Sequence, residues 1–333
     1  MPDVHLSPAK LRAALTRFRR LRILVVGDLM LDEFIYGRVS RISPEAPVPV
    51  VHVEKEAAYP GGAANVARNL AALGIHAELG GGIGQDDAGE KLLSLLRHGK
   101  IGTTAMARFR SYPTIVKTRV LARQQQVVRV DREEPGRLSG QNRAAILQKA
   151  LRLLPRCHAL VLEDYGKGLF DQTFVDHILE AAHRHGIPST VDPNVHNPLD
   201  WRGATLVKPN RLEAFGALGL PDSQKAEDWI SIGEELMVNW ACQHLLLTLG
   251  EHGMILFQPG HKPHRIPSRA REVYDVSGAG DTAISLLAAG LGAGLSGLVS
   301  AELANLAAGI VVGKLGTATV SPTEILEASR RHG

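Results

Sequence analysis

Short apolar runs recur along the chain in a way that suits buried strands. RILVVGD, HALVLEDY, PSTVDPN, ATLVKPN and HLLLTLG are largely continuous in Val, Leu and Ile, and each closes on polar or glycine residues. Runs of this kind mark strands covered on both faces. Between them, apolar residues recur three and four apart, as in DQTFVDHILEAAHRHG and AEDWISIGEELMVNW, and a first helix is predicted over about residues 7–20. Strands alternating with helices predict an α/β fold whose central, mostly parallel sheet carries helices on both faces. Sheets of this class bind ligands beyond the carboxyl ends of their strands. Asp28, Asp164, Asp192, Asn210 and Gly250 stand at those ends.

Two stretches depart from this rhythm, residues 33–56 and residues 103–134. Both are rich in β-branched residues with polar alternation and carry no helical pattern. They predict a small antiparallel β flap beside the main sheet, serving as a lid, a dimer surface or both; a plain pair of edge hairpins is the alternative. Residues 281–315 are rich in Ala, Gly and Leu at helical spacing, which predicts close-packed helices. No internal repeat interrupts the pattern, and residues 1–333 read as a single domain.

Composition narrows the choice. With 333 residues and 44% apolar content, a sizeable core is available. Lys and Arg number 38 against 34 Asp and Glu, a net charge of +4, too even for a dedicated nucleic-acid binder. The run Arg17, Arg19, Arg20 and Arg22 reads as a solvated helix face. Two distant cysteines, Cys157 and Cys242, exclude a disulfide framework and suit a reduced, cytoplasmic setting. No apolar run approaches the roughly 18 residues of a membrane span, and no secretory leader is visible.

Three glycine-bearing stretches invite comparison with phosphate-binding motifs. GQDDAGEK (residues 84–91) nearly has P-loop spacing, but Glu90 stands where the lysine belongs, so it is set aside. GAGDTA (residues 278–283) satisfies the dinucleotide pattern G-x-G-x-x-A, yet lies late in the chain, and Asp281 would repel a pyrophosphate. That weakens a nicotinamide-dependent dehydrogenase. In YPGGAANVARNLAALG, Gly61 and Gly62 permit close approach of backbone to a ligand, and Asn65 offers a donor and an acceptor to a sugar hydroxyl.

GGAANVARNLAALG, PNRLE, TLGEHG and DVSGAGDTAISLLAAGL occur in that order and together resemble the PfkB, or ribokinase, family of carbohydrate kinases over nearly the whole chain. Ser277 stands where relatives often carry Thr, keeping the hydroxyl. Within the family, GDLMLDEFIYGRVSRISPEAPVPVV, PTIVKTRVLARQQQVVRVDREE and EDYGKG resemble the kinases that act on D-glycero-β-D-manno-heptose 7-phosphate in lipopolysaccharide-core synthesis. The resemblance implies a ribokinase-like fold, ATP and Mg²⁺ as cofactors, and transfer to the anomeric O1, giving the 1,7-bisphosphate for ADP-heptose synthesis. It also implies the stand-alone form, not the form fused to an adenylyltransferase, because the sequence ends at Gly333. A homodimer through the flap is expected.

The resemblance assigns roles to particular residues. The amides of Gly278, Ala279 and Gly280 receive the transferring phosphoryl oxygens, and Asp281 takes the proton of the sugar hydroxyl; a helix-capping role is the plainer alternative for Asp281. Asn210 and Glu213 organise water around magnesium, or simply cap a helix, or both, with no direct protein ligand to the metal. Lys208, Thr248, Gly250 and Gly253 belong to the nucleotide side, and Asn305 and Gly309 border the adenine. Asp28, Asp32, Gly61, Gly62, Asn65, Asp164 and Lys167 form the sugar side. Lys117, Arg119, Arg123 and Arg41 are the flap cations suited to a phosphate already on the substrate. Other kinases of ribose, fructose phosphate or a nucleoside, and a non-catalytic sugar-phosphate sensor, are the alternatives.

Overall fold

The computed structural model describes residues 8–123, 125–134, 138–270, 272–314 and 316–330. It begins with α1 (Pro8–Phe18), β1 (Arg22–Gly27), β2 (Leu29–Ile42), β3 (Pro49–Gly62), α2 (Ala63–Ala72), β4 (His76–Gly84) and α3 (Asp87–His98). Next come β5 (Gly102–Phe109), β6 (Ile115–Ala122), β7 (Gln125–Arg132), α4 (Gly140–Leu153), β8 (Ala159–Glu163), α5 (Gln172–Arg184) and β9 (Ser189–Asp192). The last part holds β10 (Leu206–Val207), α6 (Arg211–Ala217), α7 (Ala226–Trp240), β11 (His244–Thr248), β12 (Met254–Phe257) and β13 (His264–Ile266). It closes with α8 (Ala279–Gly292), α9 (Gly297–Val311) and α10 (Pro322–Arg330).

All five apolar runs are neighbouring strands of one nine-stranded sheet, in the order β13-β12-β11-β10-β9-β8-β1-β4-β5. Pairing is parallel except at β11–β12 and β12–β13. Along β1, Ile23 and Val25 enter one core while Leu24 and Val26 enter the other. The first core is shared with α1, α2, α3, α8, α9 and α10, the second with α4, α5, α6 and α7. Burial on both faces is what makes such strands read as unbroken apolar runs. The chain leaves β1 toward β4 on one side and returns with β8 on the other, so the strand order reverses beside β1. The crevice at such a reversal is where doubly wound sheets hold ligands.

The flap is a four-stranded sheet, β3-β2-β6-β7. Two antiparallel hairpins, β2–β3 and β6–β7, join edge to edge through a parallel β2–β6 pairing. Its limits differ from those expected. β5, within residues 103–134, pairs with β4 in the main sheet, whereas β2 and β3 extend the flap back to Leu29 and on to Gly62. Residues 7, 124 and 315, which the expected elements included, lie outside the described residues. Among the described residues no helix is long and apolar enough to cross a membrane.

Candidate active site

The site is built around the start of α8. Gly278 caps this helix in the left-handed conformation, φ 81° and ψ 3°, which costs a residue with a Cβ about 1–2 kcal/mol. Ala279 is not an open donor as expected; its N–H turns back to the Val276 carbonyl at 3.2 Å. Among the described residues the N–H groups of Gly280 and Asp281 donate to no protein acceptor. They are the orphan amides of the first turn, where partial positive charge collects.

Asp281 is not the cap of α8, and its side chain is buried. Asn65, in the first turn of α2, donates to Oδ2 at 2.5 Å, and the Tyr165 hydroxyl donates to Oδ1 at 3.0 Å. Each oxygen is thereby oriented and keeps a lone pair for a proton. Burial pushes this carboxyl up to about 6, against the lowering effect of the Asn65 and Tyr165 bonds; Asp192 adds to the rise and Lys208 opposes it. The result is a carboxyl that exchanges its proton closer to neutrality than an ordinary aspartate.

Beneath α8, parallel register sets three side chains in a row across the sheet. Glu163 of β8 pairs with Asp192 of β9, and Lys208 follows β10 with its N–H on the Val191 carbonyl. Lys208 Nζ lies 2.8 Å from Asp192 Oδ2, and both side chains are buried. A Cβ on Gly280 would stand 3.7 Å from Lys208 Nζ, so the ammonium lies close beside the first turn of α8. Burial alone would lower the Lys208 ammonium, but Asp192, Glu213 and Glu163 outweigh it and hold it above its usual range. Among the described residues Glu163 Oε2 has no hydrogen-bond partner, and burial followed by the charges of Asp192 and Asp281 pushes this carboxyl well up.

Asn210 and Glu213 form a full capping box for α6. Asn210 Oδ1 accepts from the Glu213 N–H at 3.0 Å, and Glu213 Oε2 accepts from the Asn210 N–H at 2.7 Å. The capping role is therefore real, and it leaves Oε1 of Glu213 for other work. Burial and Asp192 push the Glu213 carboxyl up to about 7. These residues, with Lys208, Thr248, Gly250, Gly253, Asn305 and Gly309, line one cleft of about 930 Å³ that reaches Gly278–Asp281. Thr248 donates to the Pro209 carbonyl at 3.4 Å, and Asn305 donates to the Pro267 carbonyl at 2.8 Å, tying α9 to the cleft wall.

On the other side of Asp281, Asp28 is engaged with the loop after β8. Its Oδ2 accepts from the N–H groups of Tyr165 (3.1 Å) and Lys167 (3.0 Å), and Oδ1 from that of Leu169 (3.3 Å). It shapes the loop after β8, and its Oδ1 accepts a single backbone bond. Asp164 is similarly engaged, by the Gly166 N–H at 2.7 Å and by Asn197 at 2.8 Å, and burial pushes it up to about 7. Gly61 and Gly62 end β3 opposite Met30 and Leu29, leading directly into α2 and Asn65. Asp32 accepts from Arg119, and Lys117 lies 3.1 Å from Asp131 and 3.3 Å from Glu133. Lys167 reaches Glu133 at 2.8 Å. Arg41 and Arg123 are exposed; Arg123 follows β6 at φ 57°, about 20 Å along the strand direction from Lys117.

Sequence reasoning named Asp192 and Lys208 separately but overlooked Glu163 and the row the three form, Tyr165 as a partner of Asp281, and the acids Asp131 and Glu133. The signal for the row lay in polar residues closing consecutive apolar runs. Tyr165 carried no such signal, because its hydroxyl crosses between elements 116 residues apart in sequence.

A model of the pfkB family of carbohydrate kinases matches residues 20–324. The chain belongs to this family. As a pfkB kinase it is an ATP-dependent sugar kinase. The kinase is 44% identical over 318 residues to the bifunctional protein HldE of Magnetococcus marinus, and 47% identical over 321 residues to that of Stutzerimonas stutzeri. These alignments cover 95% and 96% of this chain but 65% and 66% of the relatives. Among solved structures, a ribokinase from Giardia lamblia superposes with a TM-score of 0.75 at 20% identity, covering 94% of this chain and 99% of that one. The phosphofructokinase-2 of Escherichia coli in complex with potassium gives 0.75 at 19%, covering 93% and 99%. Both confirm the ribokinase-like fold of the pfkB kinase.

Proposed function

We propose that this kinase phosphorylates heptose 7-phosphate at its anomeric hydroxyl, and that residues 1–333 act as one kinase unit. The observation that carries a phosphorylated substrate is the convergence of Lys117 from the flap and Lys167 from the core, beside Arg119 and Asp32. Both lysines meet at Glu133, and Lys167 sits two residues from the tyrosine that holds Asp281. The choice of heptose rests on the resemblance of the β2–β3 hairpin, the β6–β7 hairpin and the EDYGKG loop to kinases of that sugar. A pure sensor would not require a carboxylate poised near neutrality at the helix start.

In this reading the sugar enters between flap and strand ends, with its reacting hydroxyl on Asp281. Asn65 and Tyr165 hold the carboxylate so that a free lone pair meets that hydroxyl. The Gly280 and Asp281 amides and Lys208 face the phosphoryl oxygens as charge spreads over them. The proton passes to Asp281 late, as suits a loose transition state. The donor set suits a hard divalent cation held largely through water: Glu213 keeps one carboxylate oxygen beyond its cap, and Asn210 lies beside it. Magnesium bound there would neutralise charge on the ATP phosphates.

Coupled ADP release measured with heptose 7-phosphate, fructose 6-phosphate, ribose and a nucleoside tests the substrate. Release fastest with heptose 7-phosphate is expected; preference for an unphosphorylated sugar would overturn the reading.

A homodimer through the flap follows from its exposed apolar residues, including Ile42, Val53, Val128 and Val130. Side chains of this kind on a sheet face seek cover. Replacing Val128 and Val130 together by glutamate is expected to give a monomer in sedimentation velocity. An unshifted dimer would place the contact elsewhere.

A further inference from the structure

The two lysines that converge between flap and core are already occupied. Glu133, one residue past β7, sets Oε2 3.3 Å from Lys117 Nζ and Oε1 2.8 Å from Lys167 Nζ. The side chains are only 20%, 11% and 18% exposed, so water does little to screen these charges. Lys117 comes from β6 in the flap, whereas Lys167 comes from the core loop whose amides are fixed on Asp28. One carboxylate thus spans two parts of the protein, with an oxygen for each ammonium group. A phosphate monoester does the same with more charge, about −1.5 to −2, and three acceptor oxygens.

The neighbouring acid is held differently. Asp131 also touches Lys117 at 3.1 Å, but both its oxygens accept from Arg129, at 2.9 and 3.0 Å. Asp131 is shared between Arg129 and Lys117, while Glu133, past the end of the strand, sets one oxygen on each lysine and so is the acid a phosphoryl group would replace. A neutral sugar carries nothing to replace it. A phosphorylated one does.

We propose that Glu133 holds the place of the substrate's own phosphate between Lys117 and Lys167 and yields it only to a phosphoryl group. It is then a specificity-determining residue. This rests on the reading of the two lysines as the distal-phosphate site.

The test compares the full chain with Glu133→Gln, Glu133→Ala and Lys117→Met. It measures KM for heptose 7-phosphate and the inhibition constant of inorganic phosphate, with ATP binding as the check on folding. Removing the competing carboxylate is expected to lower both constants about tenfold in the two Glu133 variants, the weight of one or two partly sheltered ion pairs. Lys117→Met is expected to raise both. If the Glu133 variants raise KM or leave both constants unchanged while Lys117→Met raises them, Glu133 merely orients the lysines and the proposal fails. If Lys117→Met changes neither constant, the distal-phosphate site itself is wrong.

Discussion

Replacing Asp281 by asparagine is expected to lower kcat by about three orders of magnitude while leaving ATP affinity within a small factor of the parent. The amide keeps the shape of the side chain and can still accept from Asn65, with the Tyr165 hydroxyl turned to accept from its NH2, but it cannot take a proton. The effect should therefore fall on turnover and not on the fold, and isothermal titration with ATP beside steady-state kinetics separates the two. Turnover close to that of the parent would remove Asp281 from the chemistry. The pH profile provides a second reading. Asp281 must be ionised to act, and burial holds it at about 6. kcat/KM should rise with pH up to that point and then level off. Asp164 and Glu213, both pushed up to about 7, broaden the acid limb. For stability the sign is opposite. These three carboxyls hold their protons more tightly folded than unfolded, so the stability they contribute is full below about pH 4 and is lost as pH rises through 6 to 7.

The second large effect concerns Lys208. Lys208→Met leaves Asp192, Glu163 and Glu213 in a buried setting without the ammonium that faces them. Breaking a buried pair by deleting one partner costs about 3–5 kcal/mol. Urea denaturation of Lys208→Met is expected to show a loss of that size, and turnover should fall with the loss of the cation opposite the Gly280 amide. Adding Asp192→Asn removes the stranded charge and should restore most of the stability without restoring turnover. Equal stability of the single variant and the parent would mean that the row does not depend on its lysine.

The central sheet was legible because its strands are buried on both faces, and their apolar runs are long enough to see. β4 was not legible. HAELGGGIG has the composition of a loop, yet Gly81 is there because a Cβ would come within 2.6 Å of the Gly27 carbonyl and of the Leu29 side chain. Close packing, not chain reversal, explains that glycine, and composition alone does not separate the two. β5 was assigned to the flap because its alternating pattern matches its neighbours there; only its parallel pairing with β4 places it in the main sheet. Within the site, residues carried by glycine motifs could be found from their order along the chain. Of their partners, Asn65, Asp192 and Lys208 could be named, but not the contacts they make. The Glu163–Asp192–Lys208 row depends on strand register, Tyr165 and Glu133 on contacts between separate elements, and the hold of Asp28 on backbone amides leaves no mark in the sequence.

The loop after β8 has one more consequence. Tyr165 touches the carboxylate at one end of the sugar site, and Lys167 touches the flap acid at the other, with a single glycine between them. Asp28 holds the amides of both residues. For the proposed substrate, the span from the reacting hydroxyl to the far end of the sugar would be gauged by this fixed piece of covalent chain. A longer or shorter sugar phosphate would meet a ruler whose length is set by two peptide units.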